Sequence, residues 1–194
     1  MIAIIDYGAG NVESVRNALR RLNQEVVLTA DKAILQKADK VIFPGVGDAS
    51  FAMDQIKNKG LTEFIPQLTQ PVLGICLGMQ LLCKSTEEGN MPCLGVFDTW
   101  VKKFPESKTE KIPHMGWNNH SELIGPLFKD ITLEDDFYFV HNYYAEKCEN
   151  TIGSVDYILP ISSALSKDNF FAAQFHPEKS SAVGQKLIKN FLEL

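Results

Sequence analysis

The stretch Pro71-Val72-Leu73-Gly74-Ile75-Cys76-Leu77-Gly78-Met79-Gln80 constrains the chain more than any other. Residues 72–75 form a short apolar run, which predicts a buried strand. Residues 77–82 predict a helix, so the chain must turn sharply between the two. Cys76 sits at that turn with a glycine two residues away on each side, the G-x-nucleophile-x-G pattern of a nucleophile elbow. Such a turn strains the nucleophile's backbone and crowds its neighbours, and Gly74 and Gly78 carry no Cβ to clash. The turn also sets the thiol at a helix N-terminus, where the dipole and the free N–H groups favour the reactive thiolate. A buried structural cysteine is the alternative, and the presence of a base decides between them.

The rest of the chain supplies an α/β frame for such an elbow. Residues 2–5 are a nearly all-apolar, β-branched run, the mark of a strand buried on both faces. Asn11 is placed to cap a helix with Val12, Val15, Leu19 and Leu22 on one face. Gly8-Ala9-Gly10 is read as a tight turn, because the third glycine of a dinucleotide fingerprint would fall at Glu13. Residues 25–28 and 40–43 predict two further strands, the second running into Pro44-Gly45-Val46-Gly47. Alternating glycines at a strand end suit backbone that approaches a ligand or changes conformation, and equally an ordinary turn. Helices are expected over 49–56 and 61–68. These spacings argue for a parallel sheet with right-handed crossovers. Residues 94–120 read as strands and loops of a mixed edge, and 137–144, 151–159 and 170–175 as strands. Ser180 or Ser181 caps a last helix with Val183, Leu187, Ile188 and Phe191 inward.

Composition narrows the function classes. The 194 residues, 45% hydrophobic and 22% charged, suit one domain over 1–194 with a full core. A net charge of −5 with no basic run argues against nucleic acid or an anionic membrane surface as partner. The start, Met1-Ile2-Ala3-Ile4-Ile5-Asp6, lacks the basic region of a signal peptide, and no apolar run reaches the length of a membrane span. Cys76, Cys83, Cys93 and Cys148 show neither a CxxC pair nor zinc spacing. They are expected to be reduced thiols of a cytoplasmic protein that needs no metal or cofactor.

A thiol nucleophile needs a base, and the base an orienting partner. Of four histidines, His176 stands out in His176-Pro177-Glu178 after the apolar run 170–175. The step before proline is extended, so Glu178 points the same way as His176 and can hold one imidazole nitrogen while the other faces Cys76. A strand end also places His176 at the sheet edge where α/β sites lie. Taken alone, the tripeptide is also compatible with a surface turn.

Gly74-Ile75-Cys76-Leu77-Gly78-Met79-Gln80 and Gln174-Phe175-His176-Pro177-Glu178-Lys179 together resemble the class I glutamine amidotransferases. Asp6-Tyr7-Gly8-Ala9-Gly10-Asn11, Pro44-Gly45-Val46-Gly47 and Pro113-His114-Met115-Gly116-Trp117-Asn118 narrow the likeness to a histidine-biosynthesis branch. There the glutaminase subunit forms a heterodimer with a (β/α)8-barrel cyclase. The resemblance implies a mostly parallel mixed sheet flanked by helices, a flavodoxin-like three-layer fold with an antiparallel edge. It implies Cys76 as nucleophile, His176 as acid and base, and Glu178 as its orienting partner. It implies oxyanion donors at Leu77 and at Val46 or Gly47. Gly45, Gly47, Gln80, Glu88, His141, Asn142 and Tyr143 would form the glutamine pocket, with Glu88 pairing the α-ammonium; Asn142 stands where the family often has Ser or Thr. His114, Trp117, Asn118, Tyr138 and Lys179 would face the cyclase, which makes imidazole glycerol phosphate and aminoimidazole carboxamide ribotide. His120 is read as a surface or edge histidine. Other readings keep their own tests: a glutaminase feeding a different synthase, a catalytically dead regulatory subunit, or a Cys-His protease or esterase.

Overall fold

The computed structural model of the chain describes residues 1–8 and 12–194. Ala9, Gly10 and Asn11 lie outside the described residues, and so do most of the expected tight turn and the Asn11 cap. In chain order the elements begin β1 (Ile2–Ile5), α1 (Val12–Arg21), β2 (Val26–Thr29), α2 (Lys32–Lys37), β3 (Lys40–Gly45) and α3 (Ala49–Asn58). Then come β4 (Val72–Cys76), α4 (Leu77–Leu82), β5 (Cys83–Thr86), β6 (Met91–Pro92), β7 (Phe97–Lys103), β8 (His114–Asn118) and β9 (Glu122–Leu123). The chain finishes with β10 (Phe137–His141), β11 (Tyr143–Ala145), β12 (Thr151–Tyr157), β13 (Leu159–Lys167), β14 (Phe170–Ala173) and α5 (Ser181–Glu193).

Among the described residues, twelve strands join one mixed sheet whose main path runs β2-β1-β3-β4-β14-β13-β11-β7-β5-β6, and β10 pairs with β8 apart from it. The half from β2 to β14 is parallel. Its inner strands β1 and β4 are buried at every residue, as their unbroken apolar runs require. Beyond β14 the strands turn largely antiparallel, so the antiparallel part is wider than a single edge. One core cluster contains Ala3, Phe43, Ile56 and Met79, the other Ile4, Leu19, Phe175 and Phe191.

Several elements differ from expectation for local reasons. Over 61–68 only Ile65–Gln67 forms a helical turn, of 3-10 type. Pro66 has no N–H to continue it. The short helix α2 was not expected; Asp31 caps it by accepting from the Ala33 and Ile34 amides at 2.8 and 3.1 Å. The single strand expected over 137–144 divides at Asn142: β10 pairs with β8, while β11 pairs with β7 and β13. β13 was missed because Pro160 and the buried Ser162 and Ser163 blunt its apolar pattern. Ser180 precedes α5 but does not cap it; its hydroxyl donates to the His176 carbonyl at 2.6 Å and accepts from the Tyr138 amide at 3.0 Å.

Candidate active site

Three parallel strands end together at one edge. Gly45 of β3 lies opposite Cys76 of β4, and Ala173 of β14 lies opposite Ile75. The sheet therefore brings the Pro44–Gly47 loop, the cysteine and the segment carrying His176 to one place, the edge where open α/β sheets bind ligands.

Cys76 has φ +54° and ψ −109°, a strained conformation for a residue with a Cβ, and is 7% exposed. Such strain costs about 1–3 kcal/mol and persists only where the surroundings impose it. Here they do. A Cβ on Gly78 would collide with the Phe43 carbonyl of β3, and one on Gly74 would press on Leu82 of α4 at 2.8 Å. The two glycines let strand, turn and helix close on one another.

His176 is extended, with φ −102° and ψ 93°. Its Nδ1 lies 2.7 Å from Glu178 Oε1, and both side chains are almost wholly buried. Among the described residues Nε2 has no partner that meets hydrogen-bond geometry. Burial pulls the imidazole pKa down, but Cys76 and Glu178 outweigh it and raise the value to about 10. The ring thus favours the protonated state between a sulfur and a carboxylate, and with Nδ1 held, Nε2 is the atom left to exchange a proton with the sulfur.

A cavity of about 270 Å³ opens in front of these groups. Val46, Gly47, Cys76, Leu77, Gln80, Glu88, His141, Asn142, Tyr143 and His176 all line it, together with Lys179, which was expected on the partner face. Two expected site residues do not line it. Glu178 stands behind His176, and Gly45 is held within β3. A Cβ on Gly45 would meet the Tyr7 hydroxyl at 2.6 Å and the Gly78 amide at 2.9 Å, so its role is packing behind the loop. Tyr7 is fully buried and donates its hydroxyl to the Pro44 carbonyl at 2.9 Å, which anchors the start of the loop. Burial, and then Cys76, push the Tyr7 pKa up, so it stays a neutral donor. Gly47, with φ +98° and open space around it, is the conformationally free position. Glu88 accepts from the Ala49 amide at 2.9 Å, yet burial outweighs that bond and raises its pKa.

His114 and His141 form a buried relay. The Tyr143 carbonyl, 2.7 Å from His141 Nδ1, can only accept, so His141 carries its proton there. His141 Nε2 then accepts from His114 Nδ1 at 2.9 Å, and His114 Nε2 accepts from Asn118 at 3.3 Å. With both nitrogens engaged, His141 shapes the cavity wall and has no ring nitrogen free for a ligand. His114 is only 3% exposed, stacked between Phe139 and Tyr157, so it supports the neighbouring face from behind and does not present itself there. Trp117, by contrast, is 55% exposed, packs edge-on against Tyr138, and Lys179 lies over the Tyr138 ring at 5.9 Å. His120 is not at the surface: it is 4% exposed inside a cage of Phe128, Phe137, Phe139 and Phe175.

Sequence reasoning missed Tyr7, Val140 and Gln174. The Val140 carbonyl lies 4.0 Å from Cys76 Sγ, and Gln174 Nε2 lies 3.8 Å from it. Gln174 stands two residues before His176, which was a usable signal; Val140 and Tyr7 reach the site only through the fold. Among the described residues no cluster of side chains could hold a metal ion, and no helix is long and apolar enough to cross a membrane.

Known proteins resemble this chain in sequence and in fold. The sequence profile of class-I glutamine amidotransferases matches residues 3–194. A Bacteroides fragilis protein named imidazole glycerol phosphate synthase subunit HisH is 57% identical over all of this chain and 99% of its own length. A Bacteroides thetaiotaomicron protein of the same name is 53% identical over the same shares. Among solved structures, a glutamine amidotransferase from Thermotoga maritima superposes with a TM-score of 0.61 at 18% identity, covering 99% of this chain and 80% of that one. Another solved glutamine amidotransferase gives a TM-score of 0.75 at 19% identity, covering 100% of this chain and 98% of that one. These two likenesses speak to the fold.

Proposed function

The chain belongs to the class-I glutamine amidotransferases, and from that premise we propose that it is the glutamine-hydrolysing subunit of an imidazole glycerol phosphate synthase. The observation that carries the reading is the strained Cys76 beside a buried His176–Glu178 pair at the mouth of one cavity. Cys76 attacks the side-chain amide carbon of glutamine. His176 takes the thiol proton and hands a proton to the departing ammonia, and Glu178 keeps the ring oriented and its positive charge compensated. A glutamyl thioester remains, and water activated by the same histidine releases glutamate. The oxyanion accepts from the Leu77 amide and from Val46 or Gly47. Burial raises the Glu88 pKa, and an ammonium beside it would offset that rise and favour the carboxylate. Gln80, Asn142 and Tyr143 complete the walls around the bound amino acid.

Ammonia then passes to a (β/α)8-barrel cyclase bound as a heterodimer, yielding imidazole glycerol phosphate and aminoimidazole carboxamide ribotide. Trp117, Asn118, Tyr138 and Lys179 form the face offered to it, and His114 braces that face. The test is Cys76→Ala in complex with the cyclase. Synthesis from glutamine should vanish while synthesis from added ammonia persists. Loss of both would mean that Cys76 supports the assembly and not the nucleophilic step. A protein that feeds a different synthase would show itself before any substitution: mixed with the cyclase, the unaltered chain would give these products from added ammonia but not from glutamine.

A further inference from the structure

Among the described residues outside the triad, one buried polar side chain reaches the sulfur. Gln174 directly follows β14, is 0% exposed, and lies with Nε2 3.8 Å from Cys76 Sγ. Its orientation follows from a partner that cannot be reversed. The Tyr143 carbonyl only accepts, so Gln80 must present Nε2 to it, at 3.0 Å. The second N–H of the same nitrogen points at Gln174, 2.9 Å away, which must therefore offer Oε1. The atom that Gln174 turns to the sulfur is then its NH₂ group, a donor. A neutral thiol accepts weakly from such a donor, whereas a thiolate makes a charge-assisted bond with it. A fully buried amide gains from that bond and loses if it is missing.

We propose that Gln174 positions the Cys76 thiolate and favours it over the thiol, by an N–H that the buried Gln80–Gln174 amide pair aims at the sulfur. The inference rests on Cys76 being the nucleophile. It adds a source of thiolate stabilisation independent of His176 and of the helix N-terminus. Gln80 thereby has a structural part besides lining the cavity: it fixes which end of Gln174 meets the sulfur.

The test is the pH dependence of Cys76 alkylation by iodoacetamide, followed on the full chain by peptide mass spectrometry. Gln174→Met keeps length and removes the donor, and Gln174→Glu puts an acceptor in its place. The alkylation midpoint should move up by about one pH unit in Gln174→Met, a tenfold loss of thiolate below it, and further in Gln174→Glu. The acid limb of kcat/KM should move with it while KM for glutamine stays put. Midpoints that coincide with the unaltered protein in both variants overturn the inference. Should neither variant fold, the unaltered protein still decides. The Gln174 side-chain amide resonance should titrate over the pH range in which Cys76 becomes reactive, and a flat resonance refutes the contact. A Cys76→Ala chain that still hydrolyses glutamine would instead refute the nucleophile itself, which keeps the two failures apart.

Discussion

At the scale of single residues, the proposed site divides its labour between a group that would move a proton and groups that would hold it in place. Among the described residues only His176 pairs with a carboxylate and has its pKa raised by Cys76, while His114 and His141 are locked neutral in a relay. His176→Ala should lower glutamine hydrolysis by roughly 10²–10⁴-fold, the usual worth of a positioned acid and base. Glu178→Gln should cost less, because an amide oxygen can still orient Nδ1 although it no longer offsets the ring's charge. Equal losses in steady-state kinetics, with circular dichroism unchanged, would contradict this division. These three side chains were legible beforehand because each sits in a short pattern with its own chemistry, an elbow and a His-Pro-Glu step. Tyr7 was not, because a buried phenol acquires a role only from the atoms that folding sets against it, and for Gln174 the sequence showed only its place two residues before His176, not the sulfur it faces. His120 shows the opposite failure. Nothing in its local sequence announces a cage assembled from the separate segments that carry Phe128, Phe137 and Phe175.

At the scale of elements, the parallel strands carry the catalytic groups and the small β8–β10 sheet carries the outer face. The two are joined by backbone. The His176 amide donates to the Tyr138 carbonyl at 2.9 Å, and Ser180 bonds to both Tyr138 and His176. A partner seated on Trp117 and Tyr138 would therefore bear on the segment after β14 that holds His176. Trp117→Ala should weaken the proposed heterodimer measurably by calorimetric titration, since exposed aromatics are frequent anchors of interfaces. The isolated protein should keep its melting temperature, because Trp117 is 55% exposed. A large drop in that temperature would place Trp117 in the stabilising core. The parallel strands β1, β3 and β4 could be read from the sequence, because unbroken apolar runs have few other uses. The division of residues 137–144 into two strands could not, since the pattern is continuous through Asn142 and only the choice of neighbours breaks it.

For the whole molecule, buried histidines set how stability follows pH. Burial lowers His114 and His120 to about 4, and His141 to about 3 with help from His114, all below the ordinary 6.5. Between those values the unfolded chain binds more protons, so their contribution is complete above about pH 6.5 and is lost as pH falls toward 4. His176, raised to about 10, has the opposite sign: its contribution is complete below 6.5 and fades as pH climbs toward 10. Melting temperature should therefore peak near pH 6.5, and His120→Leu should flatten the acid side whatever its effect at the peak. Superimposable acid limbs in the two proteins would contradict the assignment. In the mechanism we propose, all of this serves one chemical event, the transfer of a glutamyl group to Cys76. Its most direct test is a rapid acid quench of the cyclase-bound protein, in excess over radiolabelled glutamine with the cyclase's ligand present. The account predicts label on the peptide containing Cys76, rising with the first ammonia released and discharged by hydroxylamine. Ammonia released with no label on that peptide at any time, or with label on another residue, would contradict it.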